Sequence, residues 1–226
     1  MRSASEVVDD RTARARIRDA AIVRFAADGV AATSVRAIAA EAGVSPGLVI
    51  HHFGSKDALR HECDEHVSAI IRTQKWEAMA AGPTFDPVAA LRDADGEVPL
   101  TKYLASTMID GTPHVAALID ELVDDAVGYM QTGVEAGTLQ PSRHPYERAA
   151  ILTIWSLGAL LLHEHVERLL GVDLTQPPAT YAGTAAGARY FAPALELFST
   201  GLLTEEVAAS MRSAFVDDPD DASEAS

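Results

Sequence analysis

Apolar residues recur along this chain at intervals of three and four. Ile17, Ala21 and Phe25 fall at i, i+4 and i+8, which predicts a helix from about Arg11 to Asp28 with Gly29 placed to end it. Val35, Ile38, Ala39 and Ala42 give i, i+3, i+4 and i+7 on a short second helix, with Thr33 or Ser34 as N-cap and Gly43 as stop. Ser45 then caps a third helix, with Pro46 at its first position, where a missing N–H is no loss. Leu59, Cys63, Val67, Ile70 and Ile71 carry a fourth helix to about Ala80. The segment 81–99 has three prolines and reads as a loop holding at most a short helix near 87–94. Further helices are predicted at about 99–111, 113–136, 145–170, 178–201 and 203–216. No alternating apolar pattern is long enough for a sheet, so the expected fold is all-α.

The spacing divides the chain into a flexible N-terminal arm (1–10), a small head (11–58), a larger helical body (59–216) and a disordered acidic tail (217–226). In the head, two short helices separated by a few residues with a glycine at the turn form a helix-turn-helix, whose second helix is the one that lies in a DNA major groove. Val49 and Phe53, four apart, face inward. Gly47, Leu48, Ile50 and His51 then face outward. Charge strengthens this reading once it is divided along the chain. The net charge is −15, yet residues 11–60 carry eight Arg or Lys against four acids, while residues 61–226 carry nine against twenty-six. A basic head on an acidic body suits a reader of double-stranded DNA whose body stays off the duplex.

The segment TSVRAIAAEAGVSPGLVIHHFGSKDAL, residues 33–59, resembles the tetracycline-repressor (TetR) family of bacterial transcription regulators, and the resemblance covers about residues 13–60. It implies a homodimer in which each subunit has an N-terminal three-helix DNA-binding domain and a larger helical domain that binds a small-molecule effector and dimerises, the effector releasing the DNA operator. It also implies a phosphate contact for Lys56, at the start of the fourth helix, where free N–H groups attract anions. His52 takes the place of the family's near-constant histidine and either donates to phosphate or braces the turn. Thr33, Ser34 and Arg36 stand where caps and phosphate contacts coincide, with Ser34 open to either role, and Ser45 and Pro46 open the reading helix. Ile50 replaces the family's usual tyrosine, and its work passes to His51. With no Arg, Asn or Gln on the outward face of 46–52, base reading falls to Leu48 or Ile50 against thymine methyls, to His51 as a single hydrogen-bonding group, and to Arg36 for guanine. Shape and paired half-sites therefore carry much of the specificity.

Two body segments carry faces that a monomer would struggle to cover. The run 149–162, with Ile151, Trp155 and Leu162, is apolar almost all round. Ala179, Gly183 and Gly187 recur every four residues and are expected to form a small-residue stripe on one helix. In the family the equivalent helices form the dimer's four-helix bundle. By the same resemblance the effector pocket lies inside the body, where Trp76, Tyr103, Met108, Tyr129, Met130 and Trp155 are the candidates for its lining. Asp110, Asp120, Asp124 and Asp125 would favour a cationic ligand if they turned inward.

Other chemistries find little support. Adjacent His51 and His52 point about 100° apart on a helix and do not close on one ion. Glu62 with His66 and His163 with Glu167 have i,i+4 spacing, but no zinc signature surrounds them, and no metal or cofactor is expected. The alternative within the same class is a helix-turn-helix protein that binds DNA without sensing an effector, and a helical metal-dependent enzyme is the rival of a different class. The chain has no Gly-rich phosphate loop, no GxSxG, no HExxH and a single cysteine, and it reads as no enzyme. The longest apolar run has fourteen residues, short of the ~18 or more of a membrane span. A cytoplasmic location is expected.

Overall fold

The computed structural model describes residues 4–82, 99–108, 113–208 and 211. Among them the chain is helical without strands: α1 (Ala4–Asp28), α2 (Val35–Glu41), α3 (Pro46–Phe53), α4 (Lys56–Ala80), α5 (Leu100–Met108), α6 (Pro113–Glu135), α7 (Pro145–Leu161), α8 (His163–Leu170), a 3-10 turn at Pro178–Thr180, and α9 (Ala185–Ser199). The N-caps expected at Ser34 and Ser45 act as such, and Ser55 is a third. Ser34, Ser45 and Ser55 accept from the amides of Ala37, Leu48 and Ala58 and so open α2, α3 and α4.

The first helix begins at Ala4 rather than Arg11, so the segment expected to be a flexible arm continues α1. No apolar periodicity marks that extension; Ser5 to Asp10 contain no Gly or Pro to stop a helix growing backwards from a packed core. The loop and short helix expected at 81–99 fall mostly outside the described residues, as does the acidic tail. The helix expected at 203–216 is described only in part, with 205–208 helical.

Two body helices differ from expectation. The segment 145–170 is two helices bent by 76° at Leu162, although nothing in LLHEH is a helix breaker. The bend lets Ala159 and Leu160 of α7 and Val166 of α8 pack together on the buried cluster of Val172, Leu174 and Tyr181. The segment 178–201 is a 3-10 turn, a bend and then α9, so Ala179, Gly183 and Gly187 do not share a helix and the small-residue stripe does not form. Gly183 has φ +73, the left-handed region that only glycine enters freely. Gly187 is needed for close approach, since a Cβ there would run into the Tyr181 carbonyl. Both glycines serve the turn into α9.

One apolar core joins head and body. Ile17, Phe25, Ile38, Val49 and Phe53 of the head are continuous, through Leu59, Cys63 and Val67 of α4, with Tyr103, Leu104, Met108, Leu118, Leu122 and Leu157 of the body. At its centre the Asp64 carboxylate lies buried. Tyr103 of α5 donates to it at 2.6 Å, and Arg60, one turn back on α4, places its Nε 3.8 Å away. Burial and the Asp64 charge hold the Tyr103 phenol far above its usual range, so it remains a donor at every accessible pH. Further along α4, Arg72 bridges Glu121 and Asp125 of α6 at 2.9 and 2.8 Å.

Replacing Tyr103 by Phe conserves the packing and removes the donor, leaving a buried carboxylate with one partner fewer. We expect a loss of about 1–3 kcal/mol of stability in urea titration. A variant as stable as wild type would show that the phenol does not support Asp64.

Candidate nucleic-acid interface

The third helix is held from behind and open in front. Val49 and Phe53 are buried in the core, while Pro46, Gly47 and His51 are exposed, Ile50 is 44% exposed and Leu48 is half-buried. Gly47, Ile50 and His51 face outward as the spacing predicted, but Leu48, also expected outward, packs partly against the core beside Val49. Gly47 is not required by the fold: a Cβ there would meet only the Ser45 hydroxyl, at 3.9 Å. A bare surface at that point therefore matters only to something approaching from outside.

The residues around α3 divide differently from expectation. Thr33 is buried, and its hydroxyl donates toward the carbonyls of Gly29, at 2.7 Å, and Arg24, at 3.2 Å. A hydroxyl has one proton, so Thr33 closes the turn after α1 and does not present a donor to phosphate. Lys56 extends inward as well, donating to the carbonyls of Val30 and Thr33 at 2.9 and 3.0 Å. Two of its three N–H bonds fix the loop between α1 and α2, and one remains for an anion. Ser34 is an N-cap whose oxygen accepts, which leaves its own proton at the exposed surface. Arg36 stands exposed on α2. His52 is half-buried, its ring edge-on to Phe53 at 6.2 Å.

Sequence reasoning missed Arg14. Its Nε and Nη2 donate to the Glu62 carboxylate at 3.3 and 2.6 Å, Nη1 donates to the His52 carbonyl at 2.9 Å, and its guanidinium carbon lies 4.6 Å from the Phe53 ring centroid. In the sequence Arg14 is one basic residue among several, and nothing local indicates partners 38 and 48 residues away.

The six residues proposed for an effector pocket are not brought together. Tyr103 and Met108 belong to the core shared with the head, because α5 lies against α1. Trp155 is 63% exposed on α7, pointing away from the body interior. Trp76, Tyr129 and Met130 do cluster: Trp76 meets Tyr129 edge-on at 6.0 Å, beside the small cluster of Ala126, Met130 and Ala149, and the missing side chain of Gly128 gives the indole its room. Asp125 is tied to Arg72, Asp120 and Asp124 are exposed, and Asp110 lies outside the described residues, so none of the described three turns a free carboxylate inward.

The i,i+4 pairs weighed for metal are engaged elsewhere. Glu62 holds Arg14, and His66 lies 3.9 Å from Asp19. His163 faces Asp173 rather than Glu167. Burial, with the Asp64 carboxylate beside it, pushes the Cys63 thiol well above its usual range, which keeps it an unreactive core group.

A buried anchor, a slim N-terminal turn and exposed reading positions on α3, following α2 across a tight turn, define a helix-turn-helix DNA-binding protein. Residues 17–63 match the family described as bacterial regulatory proteins, tetR family, and residues 95–204 match the tetracyclin repressor-like C-terminal domain. The HTH-type transcriptional regulatory protein RaaS of Mycobacterium tuberculosis is 38% identical over 196 residues, which cover 87% of this chain and 89% of that protein. The HTH-type transcriptional repressor Rv3405c of the same organism is 39% identical over 116 residues, 47% of this chain and 56% of that protein. A solved structure, of a TetR-family transcriptional regulator described as putative from Rhodococcus sp., shares the fold with TM-score 0.53 at 18% identity, over 78% of this chain and 95% of that one. The chain belongs to the TetR family: it is a helix-turn-helix transcriptional regulator with an all-helical C-terminal domain.

Replacing Gly47 by Ala tests the bare surface. Helix propensity and a less flexible unfolded chain should leave stability equal or raise it by about 0.4–1 kcal/mol. Affinity for a duplex selected by the wild-type protein from randomised sequences should fall, as read by fluorescence anisotropy. Unchanged affinity would place the first turn of α3 away from the DNA.

Proposed function

We propose that this regulator is a homodimeric repressor in the cytoplasm, which binds a near-palindromic operator and is released from it by a small molecule. The observation that carries the reading is the third helix, anchored by Val49 and Phe53 and exposing Gly47, Ile50 and His51 on one face. Such a face offers apolar contact to thymine methyls and one imidazole to a base edge, too little for strong discrimination by one head. Two heads reading half-sites about 34 Å apart, or a multiple of that, supply the rest.

The partner surface is proposed on α7 and α9. Ile151, Trp155 and Leu162 are exposed at i, i+4 and i+11, with Gly158 between them, and Leu195 and Phe198 are exposed on α9. Side chains of that size left in water in rows, rather than singly, mark a surface that another protein covers. Gly183 and Gly187 support this face only by setting the turn into α9. The name of the similar Rv3405c supports the sign of regulation, repression.

For the effector, the region of Trp76, Tyr129 and Met130 is the proposed site. It lies on α4 and α6, and α4 also carries the Lys56 end of the head, so displacement at one end reaches the other through a single 25-residue helix. A shift of a few ångströms spoils the match to half-sites whose spacing the duplex fixes.

Selection of bound sequences from randomised duplexes is expected to return an inverted repeat. Trp155→Glu places a charge in the proposed interface, and it should yield monomers by analytical ultracentrifugation and lose operator affinity steeply, since one half-site supplies only part of the contact. A Trp155→Glu protein that remains a dimer with full affinity would remove α7 from the interface.

Linkage makes effector sensing testable before the ligand is identified. Compounds that raise the melting temperature are collected, and the affinity of each is measured with and without operator. A true effector loses affinity on operator by the same factor that operator loses on effector, roughly 5- to 150-fold for a coupling of about 1–3 kcal/mol. If every stabilising compound leaves operator affinity untouched, the protein binds DNA without sensing.

A further inference from the structure

We propose that Arg14 is a positioning residue for DNA reading: without touching DNA, it sets the pitch at which α3 meets the major groove. The inference rests on α3 being the helix that reads the operator. Arg14 projects from α1 and makes three different contacts around the end of α3. It donates to the His52 carbonyl at 2.9 Å, its guanidinium carbon lies 4.6 Å from the Phe53 ring centroid, and Glu62 of α4 holds it from the far side with hydrogen bonds of 2.6 and 3.3 Å. One planar cation thus connects three helices of the head.

The chemistry of each contact favours this orientation. The last carbonyls of a helix lack intrahelical donors and carry the negative end of its dipole, so a cation there is attracted twice over. The stacked ring is Phe53, itself one of the two buried anchors of α3. A guanidinium spreads five N–H donors over a planar fork, so it can pair with both carboxylate oxygens and with a carbonyl at separate points, whereas an ammonium presents its three donors from a single nitrogen. The side chains of Arg14 and Glu62 are 44% and 31% exposed, so their ion pair adds little to stability, and its value lies in geometry.

Geometry matters more here than in a head with strong base-reading side chains. The exposed positions of α3 carry Gly47, Ile50 and His51, whose contacts are short-ranged or single. A helix that reads by methyl contact and one imidazole loses discrimination when it tilts, whereas a long arginine or glutamine would follow the base. Fixing the C-terminal end of α3 therefore determines where Ile50 and His51 meet the groove.

The test compares wild type, Arg14→Gln, Arg14→Lys and Glu62→Gln on two duplexes: the sequence obtained by selection and an unrelated one, each titrated across a range of salt. Arg14→Gln should lower affinity for the selected duplex by about tenfold or more, as expected for a lost charge-assisted hydrogen bond, and leave non-specific binding and the salt slope as they were. Arg14→Lys should fall between. Glu62→Gln is the decisive arm. Removing a negative charge near DNA would by itself tighten binding, whereas loosening the Arg14 clamp predicts weaker and less selective binding with an unchanged salt slope. If Arg14→Gln weakens both duplexes alike and flattens the salt slope by about one unit, Arg14 is a phosphate contact and the proposal fails. Tighter binding by Glu62→Gln overturns it as well. Should Arg14→Gln fail to fold by circular dichroism, Glu62→Gln and Arg14→Lys decide. A wild-type protein that selects no sequence would overturn both the operator reading and this one, whereas selective wild type with unaltered variants overturns only the role of Arg14.

Discussion

A carboxylate in an apolar interior has to be answered by donors, and Asp64 is answered from two directions. Arg60 approaches it along the same helix and Tyr103 from α5, which brings α5 down onto the head between α1 and α4. Because ion and phenol are both buried, neither is free to swing out to water without the other losing its partner. The position of the body relative to the head therefore depends on that group. The apolar core follows the same line, running from Ile17 and Phe25 through Tyr103 to Leu118 and Leu122 without a gap between the two domains.

This continuity bears on how a regulator of this kind works. Two domains joined by a flexible linker would move independently, and a ligand in one would have no means of altering the other. Here α4 is shared: Ser55 caps it, Lys56 ties it to the loop that precedes α2, Asp64 ties it to α5, and Arg72 ties it to α6. Polar contacts at three heights along one helix make it a rigid element with defined attachments. α4 runs unbroken between the Lys56 and Arg72 attachments.

Several basic residues that a charge count assigns to DNA are occupied in holding the head together. Lys56 spends two donors on backbone carbonyls, and Arg14 spends its fork on Glu62 and α3. A small domain with short helices has many helix ends and few buried atoms, and long cationic side chains are efficient at satisfying carbonyls there. Arg16, Arg36 and His51 remain exposed on the head.

The sequence by itself determined the helix-turn-helix of the head. Caps, stops and the i,i+4 anchors of α3 act within a few residues, so Ser34, Ser45, Val49 and Phe53 were legible from spacing, as were the all-helical class and the single long α4. The tertiary structure alone decided what depends on distant partners. The helix at 145–170 breaks at Leu162 because both arms pack on Val172, Leu174 and Tyr181, a cluster formed by residues that follow it. Gly183 and Gly187 were spaced like a helical stripe but are set by a turn and by the Tyr181 carbonyl. Tyr103 and Met108 moved from a supposed pocket into the shared core, and Thr33 from the DNA face into a buried turn. Arg14 was invisible as anything but charge, because its partners lie far along the chain and come to it only when α1, α3 and α4 are packed. Local geometry is written in neighbouring residues, whereas a hydrogen bond across 39 residues, such as that from Tyr103 to Asp64, exists only once burial has removed the water that would otherwise serve both groups.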